Sequence, residues 1–176
     1  MKRVVLIGSE STGKTTLARR LAEHYQVEWV PEFVRDYADR KQGPLTFDDH
    51  VPIAHGQMAL EDEYRSRAAE RHAPLLLQDT DLLSTGVYCA HYYGTCPAWI
   101  TEAAHARRPD LYLFLDIDFP WTPDPQRDRG HMREEMQALF RQAVEKSGVP
   151  FTVISGDNEQ RFASTRKAID DLLNKR

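Results

Sequence analysis

The sequence predicts an α/β fold, a doubly wound five-stranded parallel sheet with helices on both faces, and three observations carry that expectation. Short apolar or β-rich runs recur at Val4 to Ile7, Val27 to Val30, Leu75 to Leu77, Leu111 to Leu115 and Phe151 to Ile154. Longer segments with helical period separate them, so each run reads as a buried parallel strand and each separator as a crossover helix. A glycine-bounded loop, Gly8-Ser9-Glu10-Ser11-Thr12-Gly13-Lys14-Thr15, follows the first run and opens the first helical pattern at Leu17.

Each element has its own reason. Val4 to Ile7 is continuous and apolar, as a central strand buried on both faces must be. The segment from Thr46 to His72 reads as a helix, with Asp48 and Asp49 near its start and Arg65, Arg67, Arg71 and His72 toward its end, an order that suits the helix dipole. Met136, Leu139, Phe140, Ala143 and Val144 form an apolar stripe that faces a sheet, and Phe162 through Leu173 closes the fold with Ile169, Leu172 and Leu173. Pro120-Trp121-Thr122-Pro123-Asp124-Pro125 cannot be helical, and Arg127, Arg129 and Arg133 follow it, so residues from about 120 to 133 read as a mobile lid.

At 176 residues the chain suits a single domain able to bury about 70% of the surface its unfolded form exposes. Its 23 basic and 27 acidic residues give a net charge of −4, which offers no global attraction for nucleic acid or an anionic membrane. No apolar stretch approaches the roughly 18 residues of a membrane span, and the chain enters a core strand directly after Met1-Lys2-Arg3, so a cytoplasmic location is expected. Cys89 and Cys96 lack zinc-ligand spacing and read as buried or half-buried thiols, and the scattered histidines read as structural.

The loop from Gly8 to Thr16 is a phosphate-binding P-loop in its proper strand-to-helix context. Glycines let its backbone N–H groups converge on an anion at a helix N-terminus, Lys14 reaches the β- and γ-phosphates, and the Thr15 hydroxyl joins a Mg²⁺ shell. ATP and Mg²⁺ are the cofactors this implies. Phosphoryl transfer needs in-line positioning and positive charge around the transferring group, which Arg127 and Arg129 on a closing lid would supply.

Three carboxylates compete for the remaining chemistry. The third strand runs into Asp79-Thr80-Asp81, where Asp79 suits the metal shell. Asp81 suits either substrate hydroxyls or the N-cap of the next helix. Glu32 lies in Pro31-Glu32-Phe33-Val34-Arg35-Asp36-Tyr37 beyond the second strand, as a base for an attacking hydroxyl or as an ion-pair partner of Arg35. Tyr92, Trp99 and Trp121 belong to a dense aromatic set that would wall a planar acceptor or simply fill core. The turn Ser155-Gly156-Asp157-Asn158 is the expected place for the adenine grip.

Taken in order, the segments 8–16, 31–37, 79–81 with Tyr92-Tyr93-Gly94, and Leu115-Asp116-Ile117-Asp118 through Trp121 to Arg129 resemble the ribosylnicotinamide kinase domain of NadR-type proteins. The resemblance implies ATP-dependent phosphorylation of the ribose 5′-hydroxyl of nicotinamide riboside in NAD salvage. Larger family members carry a DNA-binding helix-turn-helix and a nucleotidyltransferase domain before the kinase. Neither is recognised here, so a stand-alone kinase is expected. The residues alone support a small-molecule phosphotransferase, with another nucleoside as acceptor or a nucleotide-binding switch as the rivals. Against a guanine switch, no Asn-Lys-x-Asp pattern occurs, and the acidic balance disfavours a DNA-binding role.

Overall fold

A computed structural model describes residues 1–118 and 132–175. In chain order the elements are β1 (Lys2–Ile7), α1 (Lys14–Tyr25), β2 (Trp29–Val30), α2 (Phe33–Lys41), a 3-10 turn (Phe47–Asp49) and α3 (His50–Glu70). There follow β3 (Leu75–Asp79), α4 (Leu82–Tyr93), α5 (Ala98–Ala106), β4 (Leu111–Leu115), α6 (Arg133–Ser147), β5 (Phe151–Ile154) and α7 (Asn158–Asn174). The strands form one parallel sheet in the order β2-β3-β1-β4-β5. The predicted α/β class and strand number are therefore observed.

Strand alternation sorts the core into two faces. Val4, Leu6, Leu75, Leu77, Leu113 and Leu115 pack against Leu17 and Leu21 of α1 and Ile169 of α7. Val5, Ile7, Tyr112 and Phe114 turn the other way, onto Met136, Phe140 and Val144 of α6 and Val87 of α4. On that same face α3 covers the outer strands through Ala68 against Val30 and Leu76. The burial places β1 at the centre, so the loop that leaves its carboxyl end emerges between β3 and β4, where ligands of such sheets bind.

Boundaries moved where caps outweighed hydrophobicity. The second strand shortens to Trp29–Val30 because Gln26 ends α1 in the left-handed conformation at φ 54°. Val27 then donates its N–H back to the Ala22 carbonyl at 3.0 Å, a helix-capping bond that keeps it out of the sheet. The third strand extends beyond Leu77 through Gln78 and Asp79, which pair with Val5 and Leu6. The expected helix from Thr46 to His72 is a 3-10 turn and then α3, with Thr46 and Asp49 forming a capping box. Two short helices, α2 and α5, had no counterpart in the expected pattern. The expected lid falls on residues 119–131, outside the described residues, apart from Met132 and Arg133.

Gly56 in α3 has a packing purpose. An added Cβ would stand 2.0 Å from Cε1 of Phe33, so the missing side chain seats the ring that begins α2. Gly56→Ala should thus lower stability by about 1–3 kcal/mol by overpacking, although alanine is the better helix former by about 1 kcal/mol. Urea unfolding checks this, and an unchanged or higher midpoint would show that the Phe33 ring yields freely.

Candidate active site

The loop between β1 and α1 is built from backbone constraints. Gly8 adopts φ +143°, and a Cβ there would lie 2.7 Å from the Leu115 carbonyl oxygen, so the first position of the loop admits only glycine. Ser11 and Gly13 are also left-handed, at φ 55° and 81°, and they turn the chain so that α1 begins at Lys14. Side chains from distant elements brace the outside of the curl. Gln137 of α6 accepts from the Ser9 N–H at 3.1 Å and donates to the Leu115 carbonyl at 2.8 Å. Arg161 of α7 is 2% exposed and donates to the carbonyls of Thr12 at 2.6 Å, Gly156 at 3.0 Å and Asp116 at 2.8 Å. It also pairs with Asp118, so one buried guanidinium joins the loop, the end of β4 and the β5–α7 turn. Arg133 at the start of α6 donates to the Ser11 carbonyl at 3.2 Å.

Lys14 reaches back over the loop, donating from Nζ to the Gly8 carbonyl at 3.0 Å and the Ser9 carbonyl at 2.8 Å. Burial lowers its pKa, while Glu32, Asp79 and Glu10 oppose that shift. Asp79 shares the sheet face of Leu75 and Leu77, which is the face α1 covers. Alternation therefore delivers its carboxylate to Thr15, whose hydroxyl donates to Oδ2 at 2.5 Å. Oδ1 is buried and has no hydrogen-bond partner among the described residues. Burial raises the Asp79 pKa, and the Glu32 charge raises it further. A hydroxyl and a carboxylate oxygen side by side beneath an anion-binding loop fit Mg²⁺, which prefers oxygen ligands and keeps water and phosphate for its other positions.

Asp81 corrects one expectation. It lies on the opposite face, where Oδ1 accepts from the Leu83 N–H at 3.0 Å and Oδ2 from the Tyr112 hydroxyl at 2.7 Å. Both oxygens are engaged and the residue is 8% exposed, so Asp81 caps α4 and does not reach an acceptor. Its pKa is raised by burial, with the Tyr112 bond opposing. Trp99 is a second correction. Its ring stacks on His55 at 4.6 Å between centroids and packs against the cluster of Ala54, Leu82 and Ile100, away from the cavity.

Beside the loop lies a cavity of about 480 Å³, lined among others by Glu10, Lys14, Glu32, Arg35, Tyr88 and Tyr92. For Glu32 and Arg35 the expected ion pair is observed, at 2.9 Å, and both face the cavity. Tyr92 stacks on Tyr88 at 6.2 Å and 21°, and Tyr88 meets Phe140 edge to face. Burial raises the Tyr88 pKa well above its ordinary value, so its phenol stays neutral. Tyr37 and Lys41 of α2 both bind Asp49, which fastens this wall to the start of α3.

Sequence reasoning missed Gln137 and Arg161, took Tyr88 as one of the dense aromatic set and more as core than as wall, and placed Glu10 with the donor phosphates although the side chain lines the cavity. Arg127, Arg129 and Trp121 lie outside the described residues. Cys89 is buried and its thiol is pushed up to about 12, chiefly by burial, while Cys96 is half-buried. Among the described residues no helix is long and apolar enough to cross a membrane.

Residues 3–161 match a family model described as an AAA domain. The chain is 27% identical over 98% of its length to the trifunctional NAD biosynthesis/regulator protein NadR of Escherichia coli and 26% identical to that of Salmonella typhimurium. It spans 43% of the length of each of these relatives. Among solved structures, a NadR protein in complex with NR superposes with a TM-score of 0.78 at 24% identity, covering 99% of this chain and 51% of that one. A NadR protein with NAD and AMP-PNP gives 0.75 at 24% identity, covering 99% and 50%. Thymidylate kinase from Ehrlichia chaffeensis gives 0.68 at 16% identity, covering 97% and 98%. The NadR-type resemblance seen in the sequence thus extends over nearly the whole chain.

Proposed function

We propose, from the premise that this chain belongs to the AAA domain family, that it is a kinase transferring the γ-phosphoryl group of MgATP to the ribose 5′-hydroxyl of nicotinamide riboside. One observation carries the reading. The cavity of about 480 Å³ has the phosphate lysine Lys14 in its wall together with a carboxylate, Glu32, and the stacked tyrosines. A donor site and an aromatic-walled acceptor site thus share one boundary. NR and AMP-PNP in the complexes of similar NadR proteins support the choice of acceptor and donor.

The roles follow from position. Backbone N–H groups of Gly8 to Thr16 hold the phosphates, and Lys14 neutralises charge that grows on the transferring group. Thr15 and Asp79 would hold Mg²⁺, which would offset the negative charge of the phosphates. Glu32 orients the acceptor hydroxyl and takes its proton. Asp81 is spent on the α4 cap and Asp79 on Thr15, so of these three carboxylates Glu32 is the one that lines the cavity. Arg35 fixes Glu32, and Tyr92 stacks on the acceptor ring. Arg127 and Arg129 add positive charge from the segment beyond β4, and Trp121 adds an aromatic face. The proposed unit is one kinase domain over residues 1–176, acting in the cytoplasm on a small molecule.

ADP release with MgATP across a panel of nucleosides, with product mass as readout, tests the proposal. A gain of one phosphate on nicotinamide riboside is expected. Transfer only to another nucleoside would replace the acceptor, and acceptor-independent hydrolysis would replace the kinase by a nucleotide switch.

A further inference from the structure

Glu10 is an anomaly in its own loop. Successive N–H groups of a P-loop are aimed at anions, and a carboxylate among them is repelled by the phosphates they bind. The backbone resolves the conflict. Ser11 is left-handed at φ 55°, the chain turns directly after Glu10, and the Glu10 side chain joins the wall of the acceptor cavity. It is half-buried there, and its Oε2 atom is shielded from solvent.

Its electrostatic influence falls on the aromatic side of that cavity. Among the charged neighbours of Lys14, Glu32 and Asp79 act more strongly than Glu10. Around the Tyr88 phenol the order reverses, and Glu10 is the foremost charge, ahead of Glu32. Tyr88 is the residue on which Tyr92 stacks. Glu32, the other carboxylate of the cavity wall, forms an ion pair with Arg35 at 2.9 Å. A half-buried negative charge beside stacked π-faces forms a setting for a flat cation, since the faces and the carboxylate attract it together.

We propose that Glu10, although part of the phosphate loop, is a specificity residue of the acceptor site, selecting acceptors whose planar ring carries a positive charge over neutral rings of the same shape. The inference rests on the kinase reading for the identity of the cavity as an acceptor site, and binding and turnover are therefore measured separately. The probes are nicotinamide riboside, whose pyridinium is cationic, and its 1,4-dihydro form, which is neutral and nearly the same size.

Calorimetry with AMP-PNP and Mg²⁺ present should show the wild-type protein binding the cation at least about tenfold more tightly, the factor that 1.4 kcal/mol of selective attraction produces. Glu10→Gln should reduce this preference to within about threefold, through weaker binding of the cation alone. Affinity for AMP-PNP should stay within about twofold. Glu10→Asp keeps the charge and should retain most of the preference, which covers the case in which the Gln variant does not fold. Equal binding of the two ribosides by the wild-type protein, or binding of neither, overturns the inference. So does a Glu10→Gln variant that loses AMP-PNP affinity together with both ribosides, because Glu10 would then serve the loop and not the acceptor. Turnover separates the two claims. Phosphorylation of both ribosides without preference keeps the kinase and removes the role of Glu10, whereas selective binding of the cation without phosphorylation keeps Glu10 and removes the kinase.

Discussion

Lys14→Ala is expected to cut turnover by about a thousandfold or more, equivalent to roughly 4 kcal/mol of lost transition-state stabilisation, while leaving the fold intact. The amine is positioned by the loop itself, through Nζ bonds to the Gly8 and Ser9 carbonyls. Its reach from the first residue of α1 puts the amine at the rim of the anion hollow. Because the transferring phosphoryl group spreads negative charge over its oxygens, that amine acts more strongly on the transition state than on bound ATP. The fold should survive for a physical reason. Burial lowers the Lys14 pKa, so folding disfavours the charged amine, and its removal takes away a group that the native state holds at a cost. The sign follows directly. A base whose folded pKa is lowered loses stability as pH falls through the folded value, and the variant escapes that loss. Steady-state kinetics with thermal melting checks both halves. Unchanged turnover would remove Lys14 from the phosphate site and the kinase reading with it.

The parts of this molecule that were legible in the sequence are those whose signal is local. Val4 to Ile7 and Leu111 to Leu115 lie in strands with the expected bounds or nearly so, because a run buried on both faces announces itself by continuous apolar residues. Phe151 to Ile154, by contrast, forms the expected strand at the sheet edge with Val153 exposed. The phosphate loop was legible for the same reason, since its glycines answer a backbone requirement within eight residues. Helix α2 was not. It buries none of its residues fully, so no apolar stripe marks it, and its place depends on Phe33 seated over Gly56 and on Asp49 binding Tyr37 and Lys41.

The divergence of Asp79 and Asp81 was beyond local reading as well. Two carboxylates two residues apart look alike until Thr15 claims one and Tyr112, 31 residues along the chain, claims the other. Trp99 misled because an aromatic near other aromatics reads equally as a wall or as core, and only the His55 ring on α3 decides between them. Glu10 carried a readable signal that went unused. A carboxylate inside an anion-binding loop has to point away from the anion, and what lies on that other side is the acceptor cavity.

Asp79→Asn should lower turnover by roughly a hundredfold or more and yet make the metal-free protein no less stable at neutral pH. The two effects have one origin. Strand alternation drives the carboxylate beneath the phosphate loop, where burial and the nearby charge of Glu32 both disfavour its ionised form. An acid whose folded pKa is raised above the unfolded value contributes stability that is fully present below the unfolded value. That contribution is lost as pH rises through the folded one. Wild-type protein with chelator should therefore lose stability across that window, and Asn, which cannot ionise, should not share that loss. The amide oxygen can still accept from the Thr15 hydroxyl, so packing beneath the loop is preserved. With MgATP the balance reverses, because a neutral amide is a poor replacement for the anionic oxygen that would help hold Mg²⁺. Thermal melting in chelator from pH 4 to pH 8, beside turnover at saturating MgATP, reads both effects. Wild-type turnover in the Asn variant would take Asp79 out of the metal shell, and a variant that melts lower than wild type throughout would show that the buried carboxylate holds the fold.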